Sequence, residues 1–287
     1  MNKLLLFVTL LVSSLASAKT ITPQTIPDLY KTSVRIYDKD QRGGGTGSIF
    51  RSYKNASHIL TNKHVCRLVE QGGLVSYKDK NYEVSHYKKY PQHDLCLVRI
   101  KHNLRVTTTI SDTLAKISST VYVSGHPSLL PHIATKGHLS DRMDIQLVVG
   151  TKECSDDNKS IECAWFGGQP VVKTFDSQVV SNLIKAGSSG SAVFNENGEI
   201  VGVIYAGSGG DFSHGFIVPH IYVLYFIQNA HRLKWVKVGT PVDDEGLSGR
   251  IFNYNKCKDV QTKDSKKYDK LKAFCDSIQD NVIWRKK

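Results

Sequence analysis

After its first eighteen residues the chain has no apolar run approaching the roughly 20 residues that cross a bilayer as a helix, so no later segment reads as a membrane anchor. Long stretches of helical periodicity are scarce, and proline is thin, 8 residues against 22 glycines in a chain of 287. Short runs of Val, Ile, Tyr and Thr take their place, which favours β structure. Internal repeats and low-complexity tracts are missing, so a solenoid is not expected. Acidic residues fall short of basic ones, 26 against 38, leaving a formal charge of +12. From His231 to Lys287 there are fourteen Lys/Arg against eight Asp/Glu, so half of the excess lies in the last fifth of the chain. That end could attract an anionic surface, although a solvated helical face is the plainer reading.

The first eighteen residues are of another kind. Lys3 supplies a positive start, residues 4–12 an apolar stretch, and Ala16-Ser17-Ala18 a small-residue cleavage site. This pattern predicts a secretory signal over residues 1–18 and a secreted or periplasmic product beginning near Lys19. Six cysteines in an exported chain favour three disulfides, with fifteen pairings open to the sequence.

Strand candidates follow at short intervals: residues 33–37, 45–50, 57–61, 73–77, 82–87 and 95–100. After a polar stretch at 112–119 come 120–123, 145–149, 170–174, 178–180, 191–194, 200–205 and 215–218. Two consecutive β units of about six strands are the natural partition, over residues 19–115 and 116–230. Residues 220–227 are apolar on nearly every side and predict a helix packed on the second unit. The basic extension, 231–287, holds a short amphipathic helix between Cys257 and Cys275.

The chemistry concentrates in three places. Gly187-Ser188-Ser189-Gly190-Ser191 has linker composition, but it runs at once into a strand, the turn Asn195-Glu196-Asn197-Gly198, and a second strand. A turn clamped before a hairpin is held in one shape, as a nucleophile requires. His64 follows the apolar run 57–61 and stands beside Cys66, the setting of a base candidate. Asp94 opens the run 95–100, where an unpaired charge would be costly. Histidine, aspartate and serine in that order make a nucleophile, base and orienting acid.

On these motifs the chain resembles the chymotrypsin-fold, trypsin-like serine peptidases of the bacterial secreted type, in the style of the high-temperature-requirement proteases and the glutamyl endopeptidases. The matching stretches are 45–50, 59–65, 93–98, 121–127, 187–192 and 215–219, covering roughly residues 28–230. The resemblance implies an all-β fold of two six-stranded antiparallel β-barrels, with a C-terminal helix and a disulfide-closed helical tail. It places His64 and Asp94 on the first barrel and Ser189, the nucleophile of the family's turn, on the second. The N–H groups of Gly187 and Ser189 would form an oxyanion hole. Animal-type members carry an acidic residue before the nucleophile; Ser188 stands there, so no trypsin-style activation is implied.

The same alignment puts a specificity pocket at Leu183, Ile184, Ile204, Tyr205, Ala206, Gly207 and Gly215. None is charged, and a small or medium apolar residue is expected before the scissile bond. No peptide-binding module of about 90 residues follows the barrels, so the regulated multi-domain architecture is not implied. Asp94 and Cys96, two apart on the expected strand, would share a face, and Cys66 lies two residues after His64. A Cys66–Cys96 bond would then staple base to acid, leaving Cys154–Cys163 to close a loop and Cys257–Cys275 the tail. The cysteine and histidine spacings match no paired-ligand zinc pattern, so no metal or cofactor is expected. Expected partners are protein or peptide substrates and an anionic surface met by the basic tail, not nucleic acid. The competing reading is an inert binding protein on the same fold, working through that tail.

Overall fold

In the first half of the chain the apolar runs become strands that pair edge to edge around a ring. The computed structural model describes residues 26–152, 169–208 and 213–240. The expected leader, the Cys154–Cys163 and Cys257–Cys275 pairs and the amphipathic tail lie outside those residues. After a short helix α1 (Ile26–Leu29) come β1 (Ser33–Asp38), β2 (Gly44–Tyr53), β3 (Ala56–Thr61), then helix α2 (Lys63–Val69), β4 (Gly73–Tyr77), β5 (Lys80–Lys89) and β6 (Cys96–Ile100). The sheet order β5-β4-β1-β2-β3-β6 closes because β6 also pairs with β5.

The second half builds a closed barrel from β7 (Thr120–Gly125), β8 (Ile133–Lys152), β9 (Gln169–Val180), β10 (Ala192–Phe194), β11 (Ile200–Gly207) and β12 (Gly215–Pro219). Helix α3 (His220–Asn229) follows, two residues longer than expected. The chain then returns to the first barrel, where β13 (Val236–Lys237) pairs with β5 at Tyr87 and His86. Both barrels are antiparallel, the all-β, two-barrel fold that the resemblance implies.

Several strands are apolar at consecutive positions, and the two barrels show why. Side chains alternate across a strand, so Ile59 and Val98 fill the first barrel while Leu60 and Leu97 face outward. Val193, Ile204 and Ile217 fill the second barrel, and their neighbours Phe194, Val203 and Phe216 point the other way. These outward residues meet one another, with Val223 and Phe226 of α3, in a third core between the barrels. Strands covered on both faces read as unbroken apolar runs.

Two readings change. β8 starts at Ile133, well before the expected 145, because its first half is polar and held by ladder pairing with β7 from His138↔Thr120 to Ile133↔Gly125. The runs 170–174 and 178–180 are one strand, β9.

Candidate active site

β3 ends at Thr61, and His64 lies in the first turn of α2 rather than at a strand end as expected. That helix forms because Val65 and Val69, four apart on one face, bury with Cys66 against the barrel. Asp94 likewise precedes β6, in the bend that leads into it, so the strand face assumed for Asp94 and Cys96 does not exist. The Cys66–Cys96 disulfide is nonetheless formed, with Cα atoms 6.4 Å apart, because α2 docks directly on the start of β6.

Three hydrogen bonds tie the two segments beside it. His64 Nδ1 lies 2.6 Å from Asp94 Oδ2, and the His64 backbone N–H donates to Asp94 Oδ1 at 2.9 Å. Asn62 Nδ2 donates to the Asp94 carbonyl at 2.9 Å. The carboxylate is mostly covered, its side chain 14% exposed, whereas the imidazole is 43% exposed. Burial works against both charges, but the facing charge and hydrogen bonds outweigh it. The His64 pKa is therefore raised above its ordinary value, and the Asp94 carboxyl is held below its own, with Lys63 adding to the latter. An ionised Asp94 accepts a hydrogen bond from His64 Nδ1–H and leaves Nε2 as the ring's acceptor.

The serine turn separates its three candidates by burial. Ser191 is fully buried, and Ser188 is nearly so, its Oγ accepting the Lys185 N–H at 3.3 Å. Ser189 alone is partly exposed. Its Oγ is 3.5 Å from the Tyr205 carbonyl, and no hydrogen bond joins it to His64 in this structure. Such bonds are often long before a substrate binds.

The turn is held from the first barrel by Thr46, a buried residue of β2 that sequence reasoning did not single out. Its N–H donates to the Ser189 carbonyl at 2.7 Å and its Oγ1 to the Gly187 carbonyl at 2.8 Å. The same Oγ1 accepts the His126 N–H at 3.0 Å, and the Thr46 carbonyl accepts from Thr61 Oγ1 at 2.7 Å. Gly190, at φ +87°, packs so closely here that a Cβ would collide with the Thr46 carbonyl and the Thr61 hydroxyl. The glycine at 45 was the available signal: a Cβ there would lie 3.0 Å from the Ser189 carbonyl, so a small residue beside Thr46 allows this approach.

The Gly187 and Ser189 N–H groups find no acceptor among the described residues. Each is aimed by the carbonyl across its own trans peptide, which points the opposite way. The Ala186 carbonyl accepts from Ser128 N–H at 2.5 Å, and the Ser188 carbonyl from Ser191 N–H at 2.9 Å. Ser128 and Leu129 both hold left-handed backbones, φ 53° and 56°, in the turn that presses on Gly187.

The expected pocket residues divide. Ile184 and Ile204 belong to the second barrel's core, and a Cβ on Gly215 would lie 2.5 Å from Ile184 Cγ1 and 3.1 Å from Ile204 Cδ1. Gly207, paired with Gly215 across β11 and β12, also meets Ile184, its Cβ position 3.1 Å from Cγ2. Tyr205 is buried, with its hydroxyl on Ser177 Oγ, and Ala206 is half-buried. Leu183 is 54% exposed and stands apart from this cluster.

A family model for the trypsin-like peptidase domain matches residues 45–203, more than half of the chain. No curated protein sequence matches it. Among solved structures, the inactive form of the Rv3671c protease is similar at 21% identity and TM-score 0.53, over 77% of this chain and 95% of that one. The active form of the Rv3671c protease from M. tuberculosis is similar at 18% and 0.55, over 80% and 92%. The serine endoprotease from Yersinia pestis is similar at 20% and 0.53, over 73% of this chain and 66% of its own.

Proposed function

The chain belongs to the trypsin-like peptidase domain family, and on that premise we propose that it is a secreted or periplasmic serine endopeptidase with Ser189 as nucleophile, His64 as base and Asp94 as the acid that orients it. The observation that carries this reading is the largely covered Asp94 carboxylate bonded to both His64 Nδ1 and His64 N–H, while Gly45 lies against both Val65, the neighbour of His64, and the Ser189 carbonyl, and Ser189 is the one accessible serine of the turn. In the proposed reaction Ser189 Oγ attacks a peptide carbonyl as its proton passes to His64 Nε2. The C–N bond breaks, and the amine leaves with that proton. Water, deprotonated by His64, then releases the acyl group and restores Ser189. The Gly187 and Ser189 N–H groups receive the developing oxyanion.

The substrate side chain preceding the scissile bond is small. Ile184 fills the space between Gly207 and Gly215, leaving no charge and little depth for Lys, Arg, Glu or a ring. A fluorophosphonate probe should label the mature protein on Ser189, located by peptide mapping. A library scanned at the residue before the scissile bond should favour Ala, Val or similar. Labelling elsewhere, or none, removes the triad and leaves the inert binding protein. Preference for a charged residue removes only the pocket.

A further inference from the structure

The first barrel carries a cavity that the peptidase reading does not use. It encloses about 660 Å³, the size of a small-ligand site, and is lined by Lys54, Lys78, Lys80, Lys101, Arg105 and His102 beside the tyrosines 77 and 82. No carboxylate lines it among the described residues. The nearest acid in its turns, Asp79, reaches instead to Arg35 at 3.8 Å. None of the five lysine and arginine side chains has an ion-pair partner among the described residues, so their charges are uncompensated.

Three chain segments converge to build it: the β2–β3 turn, the β4–β5 turn and the stretch after β6. Lys78 and Asp79 hold left-handed backbones, φ 47° and 58°, in the tight turn where Tyr77 pairs with Lys80. Arg105 is left-handed too, at φ 57°, with its N–H capped by Asn103 Oδ1 at 2.8 Å. Lysine and arginine are unfavourable in that conformation, and such strain persists where the surroundings enforce it. The floor is aromatic: the Tyr82 and His102 rings stack with centroids 4.7 Å apart.

The place is remote from the serine turn. β3 begins at the cavity and ends near His64, while β6 begins beside Asp94 and ends at the cavity. Five strand residues put roughly 17 Å between the two.

We propose that this cavity is a binding site for a compact ligand bearing several phosphate or sulfate groups. Ammonium groups on long stems meet tetrahedral oxyanions as point charges, and a concave wall of one sign concentrates the field. Monovalent anions do not hold the site, because five cations spread over three loops reward a ligand that engages several at once. None of the described residues of the C-terminal segment, 231–240, lines the site.

Titration calorimetry at physiological salt tests it, with sodium tripolyphosphate and a sulfated hexasaccharide as separate probes and hexa-aspartate as the contrast. The wild-type chain should bind tripolyphosphate, the hexasaccharide or both, and the tighter probe names the source of the charge. Lys54→Glu with Lys101→Glu should weaken that binding by roughly tenfold or more. Lys116→Glu with Lys136→Glu, an equal charge change on exposed residues away from the cavity, should leave it unchanged, and circular dichroism should show both variants folded. Equal loss in both variants, binding of hexa-aspartate alone, or binding of none of the three overturns the proposal.

Discussion

The two halves of the candidate site are held in different ways. His64 and Asp94 belong to one barrel, and a disulfide with three hydrogen bonds fixes one to the other. Ser189 stands on the other barrel with no covalent tie among the described residues, and its turn is held from both barrels. Thr46 of the first barrel binds two of its carbonyls, while within its own barrel the strained Ser128 turn, between β7 and β8, binds a third and the Ile204 carbonyl takes the Gly190 N–H. In the proposed triad His64 and Asp94 are therefore positioned by one packed segment, whereas the Ser189 turn depends in addition on a contact between barrels, made through Thr46.

The largest effect should come from removing the parts themselves. Ser189→Ala, His64→Ala and Asp94→Asn should each lower turnover by roughly four to six orders of magnitude while leaving the protein folded, because the three act as one unit. The pH profile sharpens this. A raised His64 pKa means that activity falls as pH drops through a value above the ordinary 6.5, since the protonated ring accepts nothing. In Asp94→Asn the facing charge is gone and burial remains, so the residual activity should titrate at a lower pH. An unshifted acid limb would show that Asp94 does not set the His64 pKa.

Thr46→Val tests the interface side. It keeps the shape of the side chain and the backbone bond to Ser189, but removes the Oγ1 bonds to the Gly187 carbonyl and the His126 N–H. Turnover should drop about ten- to a hundredfold, as positioning errors do, with His64's acid limb unmoved. Thr46→Ser should recover most of it. A shifted acid limb, or no loss in Thr46→Val, would erase the contrast between the two halves.

Smallest in activity at low temperature should be the double change Cys66→Ala/Cys96→Ala. Stability should fall by about 2–4 kcal/mol, measured by chemical denaturation, while turnover survives where the protein stays folded. Activity should then fade on heating before that of the wild type. Retained heat resistance would mean that the hydrogen bonds alone hold base to acid.

The residues of the proposed site could be named from local motifs: His64 after an apolar run, Asp94 before one, Ser189 within a glycine turn. Their supports were harder to read. Thr46 acts through backbone and hydroxyl bonds to a turn more than 140 residues away, a relation that no local pattern carries. Ser128 matters through its conformation, and a serine in a left-handed turn looks like any loop serine. The first half of β8 escaped because ladder bonds rather than apolar alternation make it a strand. Ile184, expected with Leu183 at the base of a specificity pocket, packs in the second barrel's core, which only the approach of Gly207 and Gly215 reveals. α2 was missed because seven residues give too few turns for periodicity to show.

β13 has a consequence for how the molecule comes into being. The first barrel's sheet takes its last strand from residues 236–237, more than 130 positions after β6. Nearby, Lys88 of β5 is buried with its ammonium on the Ala230 carbonyl at 2.8 Å and over the Trp235 ring. A chain emerging from its N-terminus can close the six-stranded ring early, but β5 keeps an open edge and a stranded lysine until the second barrel and α3 have been made. Contacts of such sequence separation form slowly. The return strand is thus a clasp on a ring already closed, and the nascent chain can fasten it only after the residues of the second barrel have been made.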